Sequence, residues 1–316
     1  TIPLRHFVVG LGFLLFAILV GAASGFEWAV GVRGLSYAHL LLAGWVCVTI
    51  IGAMTQFVPV WSGAKLHSRR LVTAQLWLVT AGLAGFVGAL LSGLTEWLVV
   101  GGVAMLSGFW TFAYNLGRTL LSSRPWDVTE RHFALALGFL FLFTALGISL
   151  AVGFARPVFA PLPVEHENVR MAHATLAVFG AVFTTVFGAL YQLATMFTQT
   201  ELGGIDVHIR RFEEIAYPLG VIGLAGGRLI DSPVLARIGG IAVALGILGV
   251  GLILLRRLYE SRVGRTPMLT RYAVAAAAMA LWASLALRAW IVDPLRSGAL
   301  YGAPGTVHLL VFGGLG

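Results

Sequence analysis

The chain has 316 residues, 59% hydrophobic and only 11% charged, with a mean hydropathy of +0.91. A soluble domain carries about 25% charged residues, so the composition excludes one and points to a polytopic membrane protein governed by bilayer rules. A single cysteine, Cys47, excludes an internal disulfide and a thiolate cluster, and the net charge of +8 comes almost wholly from arginines between hydrophobic runs, as expected of topology and headgroup contact rather than nucleic-acid binding.

Apolar runs of about 20 residues fall at 6–25, 36–60, 70–93, 97–120, 132–154, 170–197, 211–229, 234–257, 271–292 and from 304 onward. They predict an all-α, polytopic transmembrane helix bundle of about ten helices, with 1–316 forming a single transmembrane domain. The first run lacks a small-residue cleavage site and reads as a retained span, not a signal peptide. Only eight residues follow His308, too few to finish a tenth span, so the chain reads as part of something longer. With the N-terminus inside, the inner segments hold fourteen Arg and Lys and the outer ones seven. That bias predicts a cytoplasmic N-terminus and puts His39, His173 and His308 near the outer ends of helices two, six and ten.

The helices repeat in groups of four. Arg5-His6-Phe7 through Gly12-Phe13-Leu14 matches Arg131-His132-Phe133 through Gly138-Phe139-Leu140, and Arg271-Tyr272-Ala273-Val274 opens a weaker third copy. Gly44-x-Val46-x-x-Thr49-x-x-Gly52-Ala53-x-x-Gln56 matches Gly180-x-Val182-x-x-Thr185-x-x-Gly188-Ala189-x-x-Gln192 without a gap. The expected repeats are 1–130, 131–268 and an incomplete 269–316, in a pseudo-threefold arrangement.

Histidines at membrane depth are costly unless something binds them. His39 and His308 both precede Leu-Leu, and both stand five residues before a glycine, Gly44 and Gly313. One such histidine is explained by a hydrogen bond at the interface; a matched pair points to a shared ligand. Two imidazoles from facing helices suit a six-coordinate, low-spin haem between apolar, glycine-rich walls. Arg33, Arg288, Arg296 and Trp28 lie where haem propionates would need partners. His173 is a weaker metal candidate, because the gap-free alignment sets Tyr37 rather than His39 opposite it. His166 reads as a solvated loop residue, His6 and His132 as interface anchors, His67 and His208 as solvated. Gln56 and Gln192 read as interhelical hydrogen-bonding groups. Tyr191 reads as packing, with a redox role open beside a haem.

On these residues the chain resembles subunit I of the haem-copper oxidase and nitric oxide reductase superfamily. Ala38-His39-Leu40-x-Leu42-x-Gly44-Trp45 resembles its quinol and cbb3-type branches, and Phe57-Val58-Pro59-Val60-Trp61-Ser62-Gly63 its relatives linked to nitric oxide response. The resemblance spans the chain in architecture and is specific only around helices two, six and ten. It implies low-spin haem b on His39 and His308, a prokaryotic plasma membrane, and as partners other membrane subunits or a cytochrome, cupredoxin or quinol donor. The departures are equally specific. Thr306 stands where the family's helix ten carries the high-spin haem ligand. The seventh run has no His-His pair for copper, and a lone His173 is a poor copper site.

Every Asp and Glu is expected at a helix end or in a loop, which leaves no convincing proton relay. The expectation is therefore one-electron transfer at one b-type haem, or sensing there, with the oxygen-reducing centre lost. Two alternatives stay open. One is a working oxidase or nitric oxide reductase whose other ligands lie beyond residue 316 or on a partner; the other is a structural or transport protein without a cofactor.

Overall fold

The computed structural model describes every residue except Thr1, Ala29, Pro157, 160–163, Arg265, Pro304 and Gly316. Part of the proposed outer loop, Pro161 to Pro163, and the inner-side Arg265 therefore lie outside the described residues. Within them the chain is helical, with no strand. Helix α1 spans Ile2–Ala23, α2 Gly31–Ser62, α3 Arg69–Ser92, α4 Trp97–Leu121 and α5 Val128–Ala155. Then come α6 at His166–Thr198, α7 at Ile205–Leu229, α8 at Pro233–Tyr259, α9 at Pro267–Val292 and a short α10 at 307–315.

Eight of these, α1 to α6 with α8 and α9, are long and apolar enough to cross a membrane. The protein is an integral membrane protein. Helix α7 falls outside the eight because it carries Asp206, Arg210, Arg211, Glu213, Glu214 and Arg228. It also begins at Ile205, six residues before its apolar run, so two of its glutamates lie well inside the helix.

Local chemistry fixes the ends. The Ser68 and Thr266 hydroxyls accept from the backbone N–H of Leu71 (3.3 Å) and Leu269 (3.2 Å). Asp127 and Glu130 form a capping box at the start of α5. Pro233 and Pro267 occupy first turns, where a missing N–H costs nothing. Gly93 ends α3 with a left-handed φ of +74°, a conformation in which an L side chain is strained.

The chain divides into two compact units, one of residues 1–130 and 144–163, the other of 131–143 and 164–316. In the first unit α3 and α4 form a tight hairpin. A Cβ on Gly82 would lie 2.2 Å from the Met105 nitrogen, and one on Gly101 2.4 Å from the Phe86 nitrogen. Lipid gives helices no hydrophobic reason to associate, so dispersion at such small-residue contacts holds them. Asn115 locks one end of the hairpin: its Oδ1 accepts from the Ser68 N–H and its Nδ2 donates to the Ser68 carbonyl, both at 2.9 Å. In the second unit α7 and α8 meet the same way, with Gly227 against Ala236 and Gly239 against Leu224, at 2.3 and 2.2 Å from a built Cβ to backbone nitrogen.

Helices α2 and α6 share a feature absent from the apolar pattern. Each changes to π-helical winding for eight residues, Leu40–Cys47 and Leu176–Phe183, and these segments coincide in the gap-free alignment of Gly44 with Gly180. Their glycines pack alike. A Cβ on Gly44 would lie 2.6 Å from Phe13 of α1, and one on Gly180 2.8 Å from Phe139 of α5. Phe13 and Phe139 are themselves aligned residues. A third π segment, Leu309–Leu315, follows His308 directly, as Leu40–Cys47 follows His39.

Gly101→Val should lower stability by at least about 2 kcal/mol, because the new side chain must push against backbone. Gly88→Val on α3, where a Cβ meets nothing within 4 Å, should not lower stability, because valine is a few tenths of a kcal/mol better than glycine in a helix interior, roughly the propensity difference. Thermal unfolding of both variants in the same detergent measures the difference.

Candidate functional site

His39 is half-buried at the end of the regular first part of α2, one residue before the π segment. Its Nδ1 lies 2.9 Å from the Leu35 carbonyl. A carbonyl can only accept, so the ring proton sits on Nδ1 and Nε2 carries the lone pair. That is the arrangement of a metal-ligating imidazole, whose other nitrogen donates to a backbone carbonyl. The ring lies 4.9 Å from Phe86 of α3. Two residues before it, Tyr37 is 1% exposed and makes edge contacts with Phe26 and Trp28 at 5.9 and 5.5 Å. Trp28 thus packs against the residue two before His39. Arg33 is exposed and donates to the Ala23 carbonyl at 3.4 Å.

In the second unit His308 is half-buried, with its ring parallel to Phe312 at 6.3 Å. Arg288 and Arg296 are exposed, Arg288 on α9 and Arg296 between α9 and α10. His173 of α6 donates from Nδ1 to the Phe143 carbonyl at 2.7 Å and rests edge-on against the Phe143 ring at 5.7 Å. It too is left with Nε2 as the lone-pair nitrogen. Among the described residues, no three or more His, Cys, Asp or Glu side chains gather as a metal-binding group.

The second unit holds two polar clusters that the sequence does not reveal. The first is centred on Arg228, 1% exposed near the end of α7. Its Nη1 donates to Thr175 Oγ1 at 2.6 Å and to the Leu300 carbonyl at 3.0 Å. Its Nη2 and Nε donate to the carbonyls of Ala299 and Pro294, both at 3.1 Å. The guanidinium also lies 5.6 Å from the Trp290 ring. Two indole N–H groups join it, Trp282 to the Tyr301 carbonyl and Trp290 to that of Ala299, both at 2.8 Å. All these donors serve the strap between α9 and α10. Thr175 is aligned with His39, so α6 offers a hydroxyl to Arg228 where α2 offers an imidazole.

The second cluster is centred on Glu213, which accepts from Tyr191 and pairs with His132. Starting α7 at its apolar run hides this glutamate at a helix end, and Tyr191 and His132 then look like packing and anchoring. Only the earlier start of α7 brings Glu213 in between them. At the mouths of α7 and α8, Arg257 and Asp206 form a buried pair at 2.7 Å. Beyond the end of α8, the Arg256 hydrogen bond, with Arg257 close by, holds the Glu260 carboxyl below its ordinary range.

The sequence matches no family model and no curated relative.

Replacing Arg228 by Lys keeps the charge and loses the fork. With charge-assisted hydrogen bonds worth about 1.5–3 kcal/mol each and at least one carbonyl orphaned, Arg228→Lys should cost about 2–4 kcal/mol. Arg288→Lys, on an exposed side chain, should stay within about 0.5 kcal/mol. Paired denaturation curves check both.

Proposed function

We propose that the protein binds one low-spin b-type haem through His39 and His308 and transfers single electrons within a membrane redox complex. The observation that carries this is the tautomer at His39. The Nδ1–H donates to the Leu35 carbonyl, which leaves Nε2 as a ligand nitrogen. Support comes from His308, which stands at the same place relative to a π segment and a following glycine. Such π segments are rare and cluster at functional sites.

The donor set suits the group. Both imidazoles are half-buried, each with a phenylalanine ring beside it, and Ala38, Ala43 and Gly44 are small residues around His39. When bound, a bis-histidine haem supplies reversible one-electron chemistry at an iron with both axial positions filled, which favours electron transfer over gas binding. The protein's part is ligation and local charge. Leu35 orients the His39 ring, and Phe86 keeps water from its face. Trp28, Arg33, Arg288 and Arg296 offer donors for anionic propionates. Copper is not part of the proposal, because His173 would be its only histidine. The π segments at aligned positions and the paired Phe13–Gly44 and Phe139–Gly180 contacts support four-helix repeats. The arginine bias supports a cytoplasmic N-terminus, with α7 and α10 also in the membrane. Other membrane subunits, or a cytochrome, cupredoxin or quinol donor, would be the partners.

The protein made in haem-replete cells should give a low-spin b-type band in its reduced-minus-oxidised spectrum. His39→Ala and His308→Ala should each abolish or convert that band, while His166→Ala leaves it. A haem-free wild type ends the proposal. A spectrum shifted by carbon monoxide would mean an open iron position and favour an oxidase or nitric oxide reductase.

A further inference from the structure

The buried cluster around Glu213 has no part in the haem proposal and stands independently of it. Glu213 is 1% exposed, His132 4% and Tyr191 5%. The Tyr191 hydroxyl donates to Glu213 Oε2 at 2.8 Å, and His132 Nε2 lies 3.1 Å from the same oxygen and 3.4 Å from Oε1. The rings of His132 and Tyr191 meet at 5.4 Å. Three helices of one unit thus deliver a carboxyl, an imidazole and a phenol to one point. Glu213 lies eight residues into α7, about 12 Å from its start.

The surroundings decide what this point can hold. From α5 comes Arg131, half-exposed, which pairs with Glu214 of α7 at 2.7 Å. From α7 come Arg210, one turn before Glu213, with a buried Nε that has no hydrogen-bond partner, and Tyr217, one turn after it, whose hydroxyl is committed to the Phe179 carbonyl at 2.7 Å. Helix α6 adds Tyr191 itself. Helix α8 offers only uncharged, apolar residues from Ile238 to Leu255. The Arg131–Glu214 pair, with exposures of 50% and 19%, puts part-exposed charged groups directly beside the cluster.

We propose that Glu213, His132 and Tyr191 form a site that reversibly takes up one proton from the aqueous phase beside Arg131 and Glu214. With an ionised carboxyl and a neutral imidazole the three groups carry a formal charge of −1. Uptake of one proton brings them to zero and removes the cost of a buried anion whose hydrogen-bond partners among the described residues are an imidazole and a phenol. The proton settles on the Glu213 carboxyl, which keeps both partners neutral, since a separated imidazolium and carboxylate would each need solvation that the interior lacks. The phenol keeps its proton throughout and donates to the carboxyl in either state. A carboxyl whose only role is to tie α5 to α7 would have no such change of state.

Infrared difference spectra of the full chain in lipid vesicles, recorded between acidic and alkaline buffer, test this without any cofactor. Wild type should show a titrating carboxylic-acid C=O band that shifts in heavy water. Glu213→Gln should lose it, and Glu214→Gln should keep it. Tyr191→Phe deletes one hydrogen bond to the carboxyl, so the band should move to a different frequency. This variant removes a single oxygen and carries the test if Glu213→Gln does not fold. A wild type without the band, a band that survives in Glu213→Gln, or a band unmoved in frequency by Tyr191→Phe would overturn the proposal. Each result can be read whether or not haem is bound.

Discussion

A polar group surrounded by hydrocarbon must find its partner inside the protein, and in the second unit Arg228 is where that demand concentrates. The strap between α9 and α10 is not α-helical, so its carbonyls have no ladder to join. Left unpaired, each would cost several kcal/mol, roughly the desolvation of an amide. Arg228 reaches the carbonyls of Pro294, Ala299 and Leu300, and the indoles of Trp282 and Trp290 take those of Tyr301 and Ala299. The strap leads directly to His308. The placement of that histidine therefore depends on an arginine eighty residues earlier, and the buried guanidinium is tolerated because three carbonyls and a hydroxyl accept from it.

Close approach of backbones is the second constraint. Where Gly82 faces Met105 or Gly239 faces Leu224, a Cβ would lie 2.2 Å from a backbone nitrogen, far inside van der Waals contact. These contacts replace the hydrophobic driving force that lipid removes. The same device, turned to side chains, appears twice in matching places. Gly44 receives Phe13 and Gly180 receives Phe139, each glycine in the middle of a π segment. Wider winding changes the direction in which neighbouring side chains leave the helix. In α2 it begins immediately after His39; in α6 it begins immediately after Thr175, the hydroxyl that Arg228 uses.

Charge inside the second unit is handled by pairing. Asp206 and Arg257 are both about as buried as core leucines and meet at 2.7 Å. Arg228 relies on carbonyls and a hydroxyl. Glu213 is different, because its partners are an imidazole and a phenol, neither of which carries a permanent positive charge. That difference is why a change in protonation is the natural chemistry there and not at the other two.

Composition and periodicity were enough for the all-helical class, the membrane setting and the approximate place of every long helix, because burial in lipid demands about twenty apolar residues whatever the neighbours are. The matched surroundings of His39 and His308 were equally legible, since they are a property of spacing along the chain. The apolar pattern starts α7 six residues late, because its first turns are charged and their partners lie on α5, α6 and α8. For the same reason the pattern alone places Glu213 at a helix end and gives Tyr191 only a packing role. Exposed Arg288 and Arg296 were as visible in the sequence as Arg228, and nothing in their local wording marked which one would be buried. The π winding left no trace in the hydropathy pattern, as every residue in it is apolar or small. Sequence decides what must be inside the membrane; which polar groups meet there, and hence which can bind a proton or anchor a strap, is decided only when separate helices bring their side chains to one point.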